Sequence, residues 1–182
     1  MELDGKIIGI ISNDFKEEEL SGKKVKDIIT KKTDEALKMV KLDSSIKEEL
    51  FDNLSSRDKG KVILASHLHE KEIKLVNFSK GMIKKDLEYF NNLFKRIISY
   101  GRKIILIDKN TELFLNCVDH IYIIENNTII YETKNIFDAI LTKYIDLPKI
   151  VEFILASKEN GIRLDYYVEI DELLKAIYRI KS

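Results

Sequence analysis

The 182-residue sequence has one cysteine, one proline, no tryptophan and no net charge, and each scarcity removes a class of protein. A single thiol, Cys117, cannot form an internal disulfide and fits a reducing compartment. Lys+Arg and Asp+Glu both total 31, so no net field gathers a polyanion, and nucleic acid is not an expected partner. No apolar run approaches the roughly 20 residues of a membrane span, and the acidic start "MELDG" does not read as a signal peptide. Hydrophobic residues at 45% and charged residues at 34%, with no long polar tract, describe an ordered chain rather than a disordered one. The length suits one domain with a proper core and a short terminal appendage. The expectation is a cytoplasmic protein, peripheral at most to the inner face of a membrane.

Hydrophobic patterning supplies the elements. "GKIIGIIS" (Gly5 to Ser12) is short, apolar and isoleucine-rich, which suits a buried strand. The polar "NDFKEEELSGKK" after it reads as a loop. From Val25 to about Leu50 the pattern is helical, with Ala36, Leu37 and Val40 on one face and Thr33 as N-cap. "LSSRDKGKVILASHL" reads as another helix, started by Ser55 with Asp58 three positions later, where a carboxylate answers exposed amides. "EIKLVNF" (Glu72 to Phe78) is a strand. "DLEYFNNLFKRIISY" places Leu87, Phe90, Phe94, Ile97 and Ile98 at helical spacing before the stop signal Gly101. "KIILID" (Lys103 to Asp108) is a strand and "NTELFLNCV" a short helix. "HIYIIENNTIIYE" gives two strands joined at Asn126 and Asn127, which tolerate the positive φ of a tight hairpin. Alternating strands and helices imply parallel pairing with crossovers, so the fold class is α/β. After Lys134 the strands stop. "IFDAILTKYI", "PKIVEFILASKENG" and "EIDELLKAIYRI" read as three helices, with Pro148 at a start and Gly161 at an end. No internal repeat is visible.

"LSSRDKGKVILA" (Leu54 to Ala65) resembles the signature segment of ABC ATPases, LSGGQ followed by a basic residue and RVALA. Leu54, Ser55, Lys59, Lys61, Val62, Leu64 and Ala65 fit that pattern. "IKLVNFSKGMIKKDLEYFNNLFKRI" then resembles the family's strand ending in Asp-Glu-Pro-Thr, its D-loop and the helix behind it. "GRKIILIDKNTELFLNCVDHIYIIENNTII" resembles the switch-histidine strand, a helix and the closing hairpin, with Asp119 at the usual aspartate. The tail "DLPKIVEFILASKENGIRLDYYVEIDELLKAI" is similar to the C-terminal helical extension of energy-coupling factor ATPases. The resemblance implies a degenerate, N-terminally truncated ABC transporter ATPase-like protein, closest to those ATPases. Its fold would be a remnant of the P-loop NTPase ABC type, with a mostly parallel sheet. Residues 1–134 would be the truncated ATPase-like domain, with a helical subdomain at about 25–70, and residues 135–182 the helical extension.

"GKIIGIISND" has two placements in that family, as the strand before the Q-loop or the strand before the P-loop. The short distance from Ile10 to Leu54 favours the first, which puts the Q-loop glutamine at Asn13 or Asp14. A P-loop, GxxxxGK[ST], turns backbone amides inward and sends a lysine to the terminal phosphates. The nearest approach here is Gly22-Lys23, with Lys24 where Ser or Thr should hold magnesium and Glu17 at the first glycine. The P-loop therefore reads as absent. In the implied fold the P-loop strand lies inside the sheet, so the strands at Glu72 to Phe78 and Lys103 to Asp108 are expected to close a gap.

The resemblance also locates the chemistry. The magnesium aspartate and catalytic glutamate align with Val76 and Asn77; valine cannot ligate a hard cation, and asparagine cannot accept the proton of water at neutral pH. The D-loop pairs Gly81 with Ile83 in place of its aspartate. The switch histidine aligns with Lys109, which could still bind phosphate. Of the signature-like residues Leu54, Ser55, Ser56, Arg57 and Asp58, the serine survives, but Ser56 and Arg57 replace both glycines and compromise close backbone approach. The plainer reading of Ser55 is a helix cap. His67 and His69 face apart on a helix and make a poor metal pair. Cys117 with His120 reads as core packing, "KEEE" and "KKVKDIITKK" as solvated faces. Tyr166 and Tyr167 suit an interface or the local core.

Three functions follow from the resemblance. The first is a non-catalytic ABC-type subunit, not an enzyme, acting as an interaction or scaffolding component with no cofactor or metal. Its partner would be a competent ABC or energy-coupling factor ATPase, a membrane transporter component, or a second copy. The second is half of a heterodimeric ATPase, with Ser55 completing a partner's ATP site. The third is a soluble regulatory or vestigial domain without a transporter role.

Overall fold

Every residue of Ile7–Ile11 is buried, as an isoleucine run without polar alternation demands of a strand covered on both faces. The computed structural model describes residues 3–180, and Met1, Glu2, Lys181 and Ser182 lie outside the described residues. The strands are β1 (Ile7–Ile11), β2 (Glu72–Val76), β3 (Lys103–Ile107), β4 (His120–Glu125) and β5 (Thr128–Thr133). The helices are α1 (Val25–Ile28), α2 (Thr33–Met39), α3 (Ser56–His67), α4 (Lys84–Ser99), α5 (Lys149–Glu159) and α6 (Ile170–Ile180). The sheet runs β2-β3-β1-β4-β5, parallel except for the β4–β5 hairpin. Asn126 and Asn127 turn that hairpin at φ 50° and 58°, the type I′ signature. The α/β expectation holds.

Strand alternation divides the sheet into two faces. One side carries Ile7, Ile11, Ile73, Leu75, Ile104 and Leu106 against Leu87, Phe90, Phe94 and Ile97 of α4 and Val62 and Leu64 of α3. Val151, Ile154 and Leu173 of the tail join the same core. The other side holds a smaller cluster of Ile8, Ile10, Ile105, Ile107, Tyr122 and Ile124. Asp119 joins the strands at their amino ends, its carboxylate accepting from the Lys6 and Ile7 amides at 2.9 and 3.0 Å.

β1 lies inside the sheet, between β3 and β4. The resemblance gives the P-loop strand an interior place too, one that β3 and β4 share with β1. A short connection reduces the distance to Leu54 without moving the strand that precedes it. β2 and β3 do pair along their length, yet no gap separates the described strands.

The helical expectation for Val25 to Leu50 is corrected. That stretch is two short helices followed by a 3-10 turn at Ser44–Glu48, bent so that the Val25 amide donates to Glu49 O and the Phe51 amide to Lys23 O. Thr33 does not cap: Lys32 is the N-cap, in the left-handed region, and the Thr33 hydroxyl donates to Ile29 O at 2.7 Å. "NTELFLNCV" and "IFDAILTKYI" form 3-10 turns at Thr111–Leu113 and Ala139–Lys143 rather than α-helices. Asn110 and Asp138 each cap by accepting from an amide two residues on, which favours the tighter winding.

Candidate functional site at the carboxyl end of the sheet

Open parallel sheets present ligand sites beyond the carboxyl ends of their strands. Asn13 and Asp14 follow β1 there, Val76 and Asn77 close β2, and Lys109 follows β3. They do not converge. Asn13 and Lys109 line a cavity of about 450 Å³ together with Glu125, Thr142 and Asp146. Val76 and Asn77 line a separate cavity of about 650 Å³, walled by Ser56 and Lys59 of α3 and by Glu17, Glu18 and Glu19. Asp14 instead accepts from the Asn127 amide at 2.9 Å, tying the end of β1 to the hairpin.

The segment after β1 forms a strap across the second cavity. No helix comes until the four-residue α1, so the strap directs no helix N-terminus at the strand ends. Glu17 is its inner contact, accepting from Asn77 Nδ2 at 2.7 Å and pairing with Lys80 at 3.5 Å. Glu18 lies 3.7 Å from His67 Nε2, and His67 Nδ1 is 3.2 Å from Glu70. Asp52 holds the far end, accepting from the Gly22 amide at 2.7 Å and the Ser21 hydroxyl at 3.1 Å. That amide first, and the hydroxyl second, keep the Asp52 carboxyl below the usual range. Leu20 is the buried apolar anchor of the strap. Asn77 itself sits at φ 47°, with its amide donating to Ile107 O at 2.7 Å. It is a turn residue whose side chain donates to a carboxylate, so it cannot polarise a water as a base would.

Sequence reasoning missed Asp108. It is buried at the end of β3, where it accepts from the Ser79 amide at 2.8 Å, the Ser79 hydroxyl at 3.0 Å and the Asn110 amide at 2.9 Å. Those bonds clamp the loops after β2 and β3 together. The available signal was an aspartate directly after the apolar run of β3.

Ser55 caps α3. Its Oγ accepts from the Asp58 amide at 3.1 Å and donates to Asp58 Oδ2 at 2.8 Å. Burial pushes the Asp58 carboxyl up, but Ser55 and Lys61 outweigh it and the group titrates below its ordinary value. Val62, Leu64 and Ala65 are buried in the helical layer. Arg57 turns to Asp86 of α4, Nε to Oδ1 at 2.5 Å, and lies over the Tyr89 ring at 5.6 Å. Gly81 takes φ 73°, and a Cβ there would stand 3.0 Å from Ser56 Oγ. Ile83, 65% exposed, is the N-cap position of α4, and its amide donates to Asp86 at 3.2 Å. The signature-like and D-loop-like segments therefore engage each other within one chain.

The remaining candidates resolve into packing. Cys117 is buried, donates to Leu113 O at 3.0 Å, and burial raises its thiol to about 12. His120 stacks on Tyr122 with centroids 4.4 Å apart. Tyr166 stacks on Phe137 at 4.6 Å while half its surface stays exposed, and Tyr167 packs on the main core. Among the described residues no group of three or more His, Cys, Asp or Glu could hold a metal ion, and no helix is long and apolar enough to cross a membrane.

Neither a family model nor a curated protein matches the chain. Solved structures do. The twinned crystal structure of MJ1267, an ATP-binding cassette of an ABC transporter, aligns with a TM-score of 0.55 at 16% identity, covering 86% of this chain and 69% of that one. A nucleotide-free ATP-binding cassette from an ABC transporter aligns at 0.52 and 19% identity, over 69% of this chain and 61% of the other. An inward-facing putative metal-chelate type ABC transporter aligns at 0.51 and 14% identity, over 70% and 57%. The chain spans only 45% of the ADP form of MJ1267. Its fold is that of the ATP-binding cassettes of ABC transporters.

Proposed function

We propose that the chain is a non-catalytic relative of ABC transporter ATPases, of the energy-coupling factor type, that works as an interaction or scaffolding subunit in the cytoplasm. The observation that carries this reading is Glu17. Its carboxylate is held by the Asn77 amide and faces Lys80 at the end of β2, so the strap after β1 brings negative charge where a phosphate-binding loop would bring inward-turned amides. Val76 and Asn77 supply no carboxylate for magnesium or water, and the reading needs neither cofactor nor metal. The partner is a competent ATPase of the same kind or the membrane component it serves.

Calorimetry of the isolated chain with ATP and Mg²⁺ tests the non-catalytic part: no binding heat is expected, and saturable binding would refute it. Co-purification with the candidate ATPase and membrane component tests the partner, and recovery of a free monomer alone would count against it. The composite-site alternative requires Ser55 to leave Asp58 and reach a partner's nucleotide. It predicts that Ser55→Ala lowers the partner's ATP turnover, whereas the scaffold reading predicts unchanged turnover with a loss of about 1 kcal/mol of stability from the missing cap.

A further inference from the structure

Asn91 of α4 is 6% exposed, and the only other buried polar residue of that helix is Asp86, which bonds Arg57 and the Ile83 amide. Its Oδ1 is the one buried side-chain nitrogen or oxygen, among the described residues, with no hydrogen-bond partner. Buried carbonyls nearly always find a donor, and leaving one without costs about 1–3 kcal/mol. Asn91 also lines a cavity of about 350 Å³ where α4 meets the Asn110–Asn116 turn, the start of α5 and the chain entering α6. Met82, Leu87, Leu115, Ile150, Val168 and Ile170 give its walls an apolar character. The charges at its rim are Lys84, Lys149, Glu88 and Glu112, which balance. Lys84 lies 3.9 Å from both Glu88 and Glu169, and Lys149 lies 2.7 Å from Glu152.

We infer that this seam between the sheet-bearing body and the C-terminal helices is a binding site for a small, neutral, largely apolar molecule carrying one N–H or O–H donor, which Asn91 accepts. The balanced rim selects neither sign of charge, so a nucleotide or an inorganic anion is not its ligand. The volume admits a bicyclic heteroaromatic ring, and apolar walls with one placed polar group are the usual form of such sites. Val168 and Ile170 belong to the tail, so an occupant bridges the tail to α4. This inference does not depend on the proposed function.

The test compares indole with 1-methylindole, which keeps the ring and removes the donor, by NMR titration of the full chain. Indole is expected to shift the amides around Asn91, Leu115 and Ile150 and to bind about three- to tenfold more tightly than 1-methylindole, the worth of one hydrogen bond. Asn91→Leu is expected to bring the two affinities together. If that variant does not fold, the wild-type comparison decides alone. No binding of indole, equal affinity of the two rings for the wild type, shifts confined to other surfaces, or a preference that survives in Asn91→Leu would each overturn the assignment.

Discussion

Gly60→Ala sets two effects of known sign against each other in α3. In a helix interior alanine is worth about 1 kcal/mol more than glycine. Here the added Cβ would stand 2.5 Å from Met82 Cε and 2.8 Å from Phe90 Cζ. Met82 ends in a flexible thioether and can swing away. Phe90 cannot: it is fully buried, edge-on to Phe78 at 4.7 Å and to Tyr89 at 5.3 Å. Overpacking of this kind costs about 1–3 kcal/mol, so the net expectation is a loss of about 1 kcal/mol. For a chain of this size that is roughly 2–4 °C in melting temperature. Urea unfolding followed by circular dichroism, beside a thermal melt, reads both. Phe90→Leu removes the ring, so the double variant should recover part of the helix gain, with a coupling of about 1 kcal/mol between the two sites. A melting temperature that rises by the full helix-propensity gain in Gly60→Ala alone would refute the close approach. It would also remove the reason for a glycine between the signature-like helix and the residues after Gly81.

Asp108→Asn should cost about 1–3 kcal/mol, because one of the oxygens that serve Ser79 and Asn110 becomes a donor facing donors; an unchanged urea midpoint would deny the clamp. Glu48 gives the pH dependence a definite sign. Hydrogen bonds from Lys26 first and Lys24 second hold its carboxyl down to about 2 from 4.5. The native state thus favours the ionised form, and the stabilisation is present above about 4.5 and lost as pH falls through about 2. Glu48→Gln should flatten the acid limb of the stability curve across that window, and salt should weaken the wild-type effect because the pairs are exposed. Identical acid limbs for wild type and variant would show that these pairs do not contribute.

The parts of the molecule legible in the sequence were those whose cause is local. α4 follows from Leu87, Phe90, Phe94 and Ile97 at helical spacing, and all four are buried. The start of α3 follows from Ser55 and Asp58, whose reciprocal bonds span three residues. The β4–β5 turn follows from two adjacent asparagines at positive φ. Where the cause was remote, the reading failed. The stretch from Val25 to Leu50 carries buried residues at helical intervals, yet its shape is set by Lys23, Val25, Glu49 and Phe51 bonding across the fold. Periodicity records which side chains turn inward, not where a backbone folds back.

The same distinction governs the candidate site. Chain distance from Ile10 to Leu54 measures the length of a connection and carries no record of which strands lie side by side, and β1 pairs with both β3 and β4. With β1 inside the sheet, the acidic segment beyond it takes on a different meaning. Glu17, Glu18 and Glu19 read in isolation as a solvated acidic run. Issuing from the central strand, they are carried across the carboxyl end of the sheet, where Asn77, Lys80 and His67 meet them. Contacts at Asp14, Glu17, Glu18, Gly22 and Lys23 hold a strap that contains one buried apolar anchor. Such a segment buries little surface and depends on polar contacts that water can replace, so it should be among the first parts of the fold to open. Amide hydrogen exchange across Ser12 to Lys24 should therefore be faster than in β1 itself. Loss of Glu17 should speed it further while leaving the strand protected, because the strand is hydrogen-bonded along its length to two neighbours and the strap is held by a few scattered contacts.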